Sequence, residues 1–269
     1  MNIVQAVILG LLQGATEFIP VSSSGHLVLV PWLLGWDEPG LVFDTVVHWG
    51  TLVAVVAYFR HDWPTLIGAW LRGSVRREWD DPDARLMWLL IVGSLPAAII
   101  GFLLEDFFES LFGRPLWVSV FLLVTAALLA LSERLGHRTR AMEDLNRTDA
   151  VIIGLGQAAA IAPGISRSGS TLAAGLLRGL ERAAAARFSF LLSTPIILGA
   201  GLFKMLDLLD TPDPLAQAPM LLAGFLAAAV GGYLCIRFLL RYLQRGRLYP
   251  FALYCAAFGS FCLLVAIAR

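Results

Sequence analysis

Residues 6–27, AVILGLLQGATEFIPVSSSGHL, return at residues 150–171 as AVIIGLGQAAAIAPGISRSGST, without a gap. Ala6/Ala150, Val7/Val151, Ile8/Ile152, Gly10/Gly154, Leu11/Leu155, Gln13/Gln157, Ala15/Ala159, Ser22/Ser166, Ser24/Ser168 and Gly25/Gly169 are identical. The matches include glycine and polar positions, so apolar composition alone does not produce them, and the chain reads as an internal duplication. Each copy interrupts an apolar run with a Pro/Gly/Ser cluster. Interruptions at corresponding places in two repeats mark the position where a membrane protein builds its site.

The surroundings of these segments set the solvent. With 58% hydrophobic residues, 15% charged residues and a mean hydropathy of +0.75, most of the surface belongs in lipid. Net charge is zero and no basic block stands out, which argues against a nucleic-acid partner. Cys235, Cys255 and Cys262 lie in apolar stretches and read as small buried hydrophobes, not as a disulfide or metal set. The first residues lack the pattern of a cleaved signal peptide.

Six apolar runs are long enough to cross about 30 Å of hydrocarbon: 42–59, 86–104, 116–131, 188–206, 219–240 and 249–268. The third is short and draws on its flanks. Four further pieces, 3–18, 26–34, 150–162 and 168–177, are too short and pair around PVSSSG and PGISRSG. Each pair is expected to form a re-entrant hairpin, acceptable in a bilayer only where its turn is buried in protein or lines a wet cavity. The expected fold is an all-α integral membrane protein with inverted-topology repeats, six transmembrane helices and two hairpins meeting near the midplane. Residues 1–145 form the first repeat and 146–269 the second, within one structural domain.

Loop charge sharpens this topology. Segments 60–85, 132–149, 178–187 and 237–247 hold sixteen arginines, whereas Arg114, Lys204 and Arg269 face the other way beside Asp37, Glu38, Glu105, Asp106, Glu109, Asp207, Asp210 and Asp213. The positive-inside rule places the arginine-rich loops, Arg77 among them, in the cytoplasm and both termini outside.

The two copies differ where chemistry would sit. One carries Glu17, Ser22, Ser23, Ser24 and His26; the other carries Ser166, Arg167, Ser168, Ser170 and Thr171. Carboxylate, imidazole and hydroxyls facing a guanidinium and a helix amino end fit phosphoryl hydrolysis: a nucleophile or activated water, a proton carrier and charge neutralisation. Glu17, His26, Ser23 and Arg167 are the expected catalytic residues, with the nucleophile open between Ser23, His26 and water. Arg167, Ser166, Ser168, Thr171 and Ser22 are expected to contact phosphate. Ser22, Ser24, Ser166 and Ser168 have a competing reading as turn-makers and close-packing residues, because the two copies share them. His48, near Asp44 and Thr51, reads as a helix-contact histidine, with a cation-facing role as the alternative.

Through QGATEF, PVSSSGH and PGISRSGST the chain resembles the undecaprenyl-diphosphatases associated with bacitracin resistance, the BacA or UppP family, over essentially its full length. The resemblance implies hydrolysis of undecaprenyl diphosphate to undecaprenyl phosphate and inorganic phosphate, which recycles the lipid carrier of peptidoglycan synthesis at the outer face of the bacterial inner membrane. It also implies a divalent cation, Mg or Ca, near Glu17 and Gln13. The family pattern allows Glu or Gln at the first of these positions. Gln13 cannot ionise, which leaves acid and base work to Glu17 and His26. The expected partners are a polyprenyl diphosphate and membrane lipids, with a homo-oligomer as a candidate assembly. Inverted repeats also suit a polyprenyl-phosphate transporter using the same anion site. Against it, only one copy keeps the Glu/His pair; a channel would need a ring of like residues that the chain lacks.

Overall fold

The computed structural model describes residues 1–76, 80–204 and 214–269; Arg77, Asp207, Asp210, Asp213 and the end of the 188–206 run lie outside the described residues. The chain is helical: α1 (Ile3–Phe18), α2 (Ser23–Leu34), α3 (Gly40–Tyr58), α4 (Asp62–Arg76), α5 (Pro82–Leu103), α6 (Glu105–Phe112), α7 (Pro115–Leu135), α8 (Arg147–Ala159), α9 (Arg167–Leu177), α10 (Arg182–Lys204), α11 (Pro214–Tyr242) and α12 (Tyr249–Ala268). Six of them, α3, α5, α7, α10, α11 and α12, are long and apolar enough to cross a membrane. Among the described residues the only β pairing is an isolated bridge between Arg140 and Leu180. This is an all-α, multi-pass membrane protein.

Capping chemistry explains where the short helices begin, and it repeats. Asn2 and Gln5 form a reciprocal capping box on α1, with Asn2 Oδ1 accepting from Gln5 N at 2.9 Å and Gln5 Oε1 accepting from Asn2 N at 2.8 Å. Asn146 and Asp149, at the same repeat offset, cap α8 in the same way at 3.1 and 3.0 Å. The duplication therefore extends four residues before the identical run. At the second helix of each pair, Ser22 Oγ accepts from Gly25 N at 3.2 Å and Ser166 Oγ accepts from Gly169 N at 3.0 Å.

Each repeat packs its first helix on a span of the other. α1 lies along α11 and α8 along α5. The approach is close because glycine sits at both crossings: a Cβ on Gly10 would stand 2.3 Å from Gly224 O, and one on Gly154 would stand 2.3 Å from Gly93 O. Small residues at such crossings let backbones touch, which is the main packing gain open to helices in lipid. This is the physical reason for one identical pair in the repeat, Gly10/Gly154.

Several elements run beyond their expected limits. Residues 62–76, expected as loop, form α4; Leu66, Ala69 and Gly73 bury against α5 while Arg72 and Arg76 stay outside, an amphipathic pattern that the arginine count obscured. The span expected from 86 starts at Pro82 because Asp81 caps it, accepting from Asp83 N at 2.9 Å. The short run 116–131 extends over Pro115–Leu135, and the one expected from 188 begins at Arg182.

The arginine-rich segments gather at one end of the bundle. Arg187 pairs with Asp62. Arg85 donates to Leu145 O at 2.5 Å, Arg140 to Arg178 O at 2.7 Å, and Leu248 N to Glu133 Oε2 at 3.1 Å. Two buried carboxylates hold the clusters: Asp149 binds Arg140 at 2.6 Å and Arg178 at 2.7 Å, and Glu133 binds Arg182 and Arg138. Lys204 and Glu109, 2.5 Å apart, and Arg269, which donates to Trp32 O at 3.2 Å, belong to the other end.

Candidate active site

The turns of the two helix pairs meet. Gly164 N donates to Ser24 Oγ and Ser168 Oγ donates to Ile19 O, both at 3.4 Å, and a Cβ on Gly25 would lie 3.2 Å from Gly164 Cα. Spans α7 and α12 grip one turn each. Thr125 Oγ1 donates to Gly164 O at 3.0 Å while accepting from Ser166 N at 2.9 Å. On the opposite side the Cys255 thiol donates to Pro20 O at 3.8 Å. Gly164 has φ +101°, which glycine adopts freely, and its Cα hydrogen faces Val118 O.

At this junction Arg167 Nη2 donates to Glu17 Oε1 at 2.6 Å, joining residues from the two copies. Both side chains are largely buried, Glu17 at 6% exposure and Arg167 at 13%. Glu17 Oε2 accepts from Ser23 Oγ at 2.5 Å and from Gln13 Nε2 at 3.1 Å, and lies 3.8 Å from His48 Nε2. The guanidinium also reaches Ser189 O at 3.4 Å. A carboxylate, a hydroxyl, an imidazole and a guanidinium thus share one point inside the bundle. Ion pairs at such depth are costly and concentrate at sites of function.

The structure gathers Gln13, Glu17, Ser23 and Arg167, and it separates the other expected residues from them. His26 is buried and turned toward α12: Nδ1 bonds Ser22 O and Nε2 bonds Tyr254 Oη, each at 2.7 Å. Its ring stacks on Phe258 at 4.9 Å and on Tyr254 at 5.6 Å. With Ser22 O, this aromatic clamp engages both ring nitrogens of His26 away from Glu17. Ser22 and Ser166 spend their hydroxyls as helix caps and pair at 3.3 Å with Ser24 and Ser168 respectively. Thr171 Oγ1 bonds Arg167 O at 2.8 Å and Ser189 Oγ at 2.6 Å. These hydroxyls hold the turns, and Ser22, Ser166, Ser168 and Thr171 are buried.

Ser22 departs from its counterpart in one respect. Its backbone is at φ +72°, whereas Ser166 sits at φ −72°. A non-glycine residue in that region is held at a cost by its surroundings. Ser22 O accepts from both His26 N and His26 Nδ1, at 3.2 and 2.7 Å, and Ser166 O accepts from Ser170 N at 2.8 Å.

Sequence reasoning ranked His48 below its placement. Its ring Nδ1 bonds Asp44 O at 2.7 Å, which aims Nε2 at Glu17. Tyr254 and Thr125 were not anticipated. The only signal for Tyr254 is Tyr254/Phe258 at i, i+4 on the last span, a spacing that stacks two rings on one helix face.

The donors near Glu17 fit a hard cation that brings its own oxygen ligands. Gln13 Oε1 is a buried carbonyl oxygen without a hydrogen-bond partner among the described residues, one helical turn from Glu17. Among the described residues no three His, Cys, Asp or Glu side chains are grouped to hold a metal. One carboxylate and one amide oxygen would hold such a cation only with phosphate and water completing its shell.

Fold and site together define an integral membrane protein with a buried carboxylate–guanidinium centre at the junction of two duplicated helix pairs. The chain belongs to the BacA family: the family described as Bacitracin resistance protein BacA matches residues 6–261. It is 46% identical over 269 residues to an undecaprenyl-diphosphatase of Desulforudis audaxviator, with all of both chains covered. It is 49% identical over 247 residues to one of Moorella thermoacetica, covering 91% of each chain, and 45% identical over 277 residues to one of Methanosphaera stadtmanae, covering 99% of each. These relatives carry the name of a hydrolase, and none of the three carries that of a carrier, so the transporter expectation gains no support.

Proposed function

We infer that this chain is an undecaprenyl-diphosphatase, hydrolysing the lipid diphosphate to undecaprenyl phosphate and inorganic phosphate at the Glu17–Arg167 junction. The observation that carries this reading is the Ser23–Glu17–Arg167 chain, at 2.5 and 2.6 Å, drawn from both repeats. A hydroxyl bonded to a carboxylate is an activated nucleophile, and a guanidinium beside it neutralises charge on a transferring phosphoryl group.

In this reading Ser23 Oγ attacks the terminal phosphorus while Glu17 takes its proton. The phosphoanhydride P–O bond breaks, undecaprenyl phosphate leaves, and water then cleaves the phosphoserine to release phosphate. Arg167 exchanges Glu17 for two phosphate oxygens. Ser23 is preferred over His26 because both nitrogens of His26 are engaged elsewhere. His26 keeps Ser22 O, and with it the backbone next to Ser23, in place. His48 is the imidazole able to exchange a proton with Glu17. A magnesium or calcium ion would be held by Glu17 and Gln13 Oε1 and would supply charge neutralisation for the diphosphate. Ser166, Ser168, Thr171 and Ser22 then shape the phosphate pocket by holding the two turns with their hydroxyls.

The setting we propose is a bacterial inner membrane, with the arginine-rich end in the cytoplasm, both termini outside and the site opening to the outer face. The isoprenoid tail lies in lipid between helices.

The test is phosphate release from a polyprenyl diphosphate by purified protein, with magnesium or calcium and after chelation, alongside Glu17→Gln, Arg167→Gln and Ser23→Ala proteins of matched melting temperature. Losses of at least about 10²-fold in each variant are expected. Full activity of Ser23→Ala would return the attack to water, and a folded, cation-supplied parent without activity would remove the hydrolase reading.

A further inference from the structure

At the arginine-rich end of α11 a groove of about 480 Å³ is lined by Leu234, Arg237, Phe238, Arg241 and Tyr242. It is remote in sequence and in its contacts from the Glu17 junction and has no part in the chemistry above. Its two guanidiniums are one helical turn apart, both exposed, and neither has a hydrogen bond or ion pair among the described residues. The other lining residues, Leu234, Phe238 and Tyr242, are apolar or aromatic. Leu234 and Phe238 are 57% and 52% exposed on the same face. Tyr242 stacks on Phe238 at 5.8 Å, packs edge-on to Phe251 at 5.5 Å, and donates to Arg247 O at 3.0 Å.

Arg237 stands inside the apolar span Gln217–Tyr242. At 1.5 Å of rise per residue its Cα is roughly 7.5 Å from the end of the helix. An unpaired charge at that depth snorkels to the headgroup layer or takes an anion from it. Arg241, one turn closer to the surface, points the same charge at the same layer, while Leu234 continues the groove toward the hydrocarbon.

We propose that this groove is a binding site for an anionic phospholipid of the leaflet on the arginine-rich side, its phosphate between Arg237 and Arg241 and an acyl chain along Phe238 and Leu234. A phosphate between two guanidiniums accepts several charge-assisted hydrogen bonds, which a zwitterionic headgroup offers with its own ammonium competing. The lipid ties α11, the helix against which α1 packs, to one leaflet.

The experiment reconstitutes the full chain in nanodiscs of mixed phosphatidylglycerol and phosphatidylcholine and counts retained lipids by native mass spectrometry. The parent, Arg237→Gln/Arg241→Gln and, as a control at the other end, Arg114→Gln are compared. The parent and the control are expected to keep phosphatidylglycerol in preference to phosphatidylcholine. The double variant is expected to bind it about thirtyfold more weakly, with high salt weakening the parent in the same direction. Both arginines are exposed, so the double variant should keep its fold and its phosphate release in detergent. Equal retention of the two lipids by the parent, or parent-like retention by the double variant, would overturn the site. Displacement of phosphatidylglycerol by equimolar polyprenyl monophosphate would overturn the phospholipid assignment and give the groove to the isoprenoid lipid.

Discussion

Gly14→Ala tests whether the α1–α11 crossing sets the active geometry. A Cβ there would lie 2.5 Å from Ala228 O and 2.7 Å from Gly232 N, both backbone atoms that no rotamer change can remove. Ordinary contact starts at 3.4 Å, so the helices must part by about 0.9 Å or the backbone must bend. Overpacking of this kind costs about 1–3 kcal/mol. Gly14 is adjacent to Gln13 and three residues before Glu17, so the same displacement carries the carboxylate away from Arg167 and Ser23. A misplacement near 1 Å lowers a rate by up to about 10²-fold. Phosphate release and thermal unfolding would be followed together, with Gly199→Ala as the control, since a Cβ there meets nothing within 4 Å. The expected outcome is a lower melting temperature and a fall in kcat for Gly14→Ala alone. Parent-like values for Gly14→Ala, or an equal fall in the control, would refute the reasoning.

Tyr254→Phe keeps the stack on His26 and removes one hydrogen bond of 2.7 Å; a loss of about 1 kcal/mol corresponds to a roughly fivefold lower kcat with KM unchanged, read from steady-state kinetics. His48→Ala is expected to lower kcat by at least about tenfold, and His48→Gln to recover part of it, because Nε2 faces Glu17. Ser22→Ala and Ser166→Ala remove caps and should each cost about 1 kcal/mol of stability, measured by denaturant titration, without raising KM; a raised KM would show instead that these hydroxyls bind phosphate. Burial alone would raise the pKa of Asp149, but its bonds to Arg140 and Arg178 outweigh this and hold it below the usual carboxylate range. Its stabilisation is therefore present above the unfolded-state value and is lost as pH falls through the lowered one. Asp149→Asn should flatten the acid side of the stability profile and lower the melting temperature at neutral pH.

Much of this protein is local information. Six runs of apolar residues become six membrane-length helices because hydrocarbon leaves backbone groups only one another to bond. Gln13, Glu17 and Ser23 lie on one short segment, and the α1 helix with the turn after it suffices to bring them together. Arg167 was legible too, because the repeat placed it opposite that segment. Element ends were less legible: α4 is half polar, and its existence depends on a partner face on α5 that no window of sequence contains.

What the sequence by itself determined is the solvent, the duplication and the chemical inventory of the junction, since each depends on composition or on a repeat at fixed offset. What only the tertiary structure decided is which of the shared polar groups face one another. His26 turns to Tyr254, more than two hundred residues away in the chain, and His48 takes the place beside Glu17. Both results come from helices packed side by side in a crowded bundle, where the direction of a ring is set by the nearest acceptor on another helix and not by its neighbours in the chain.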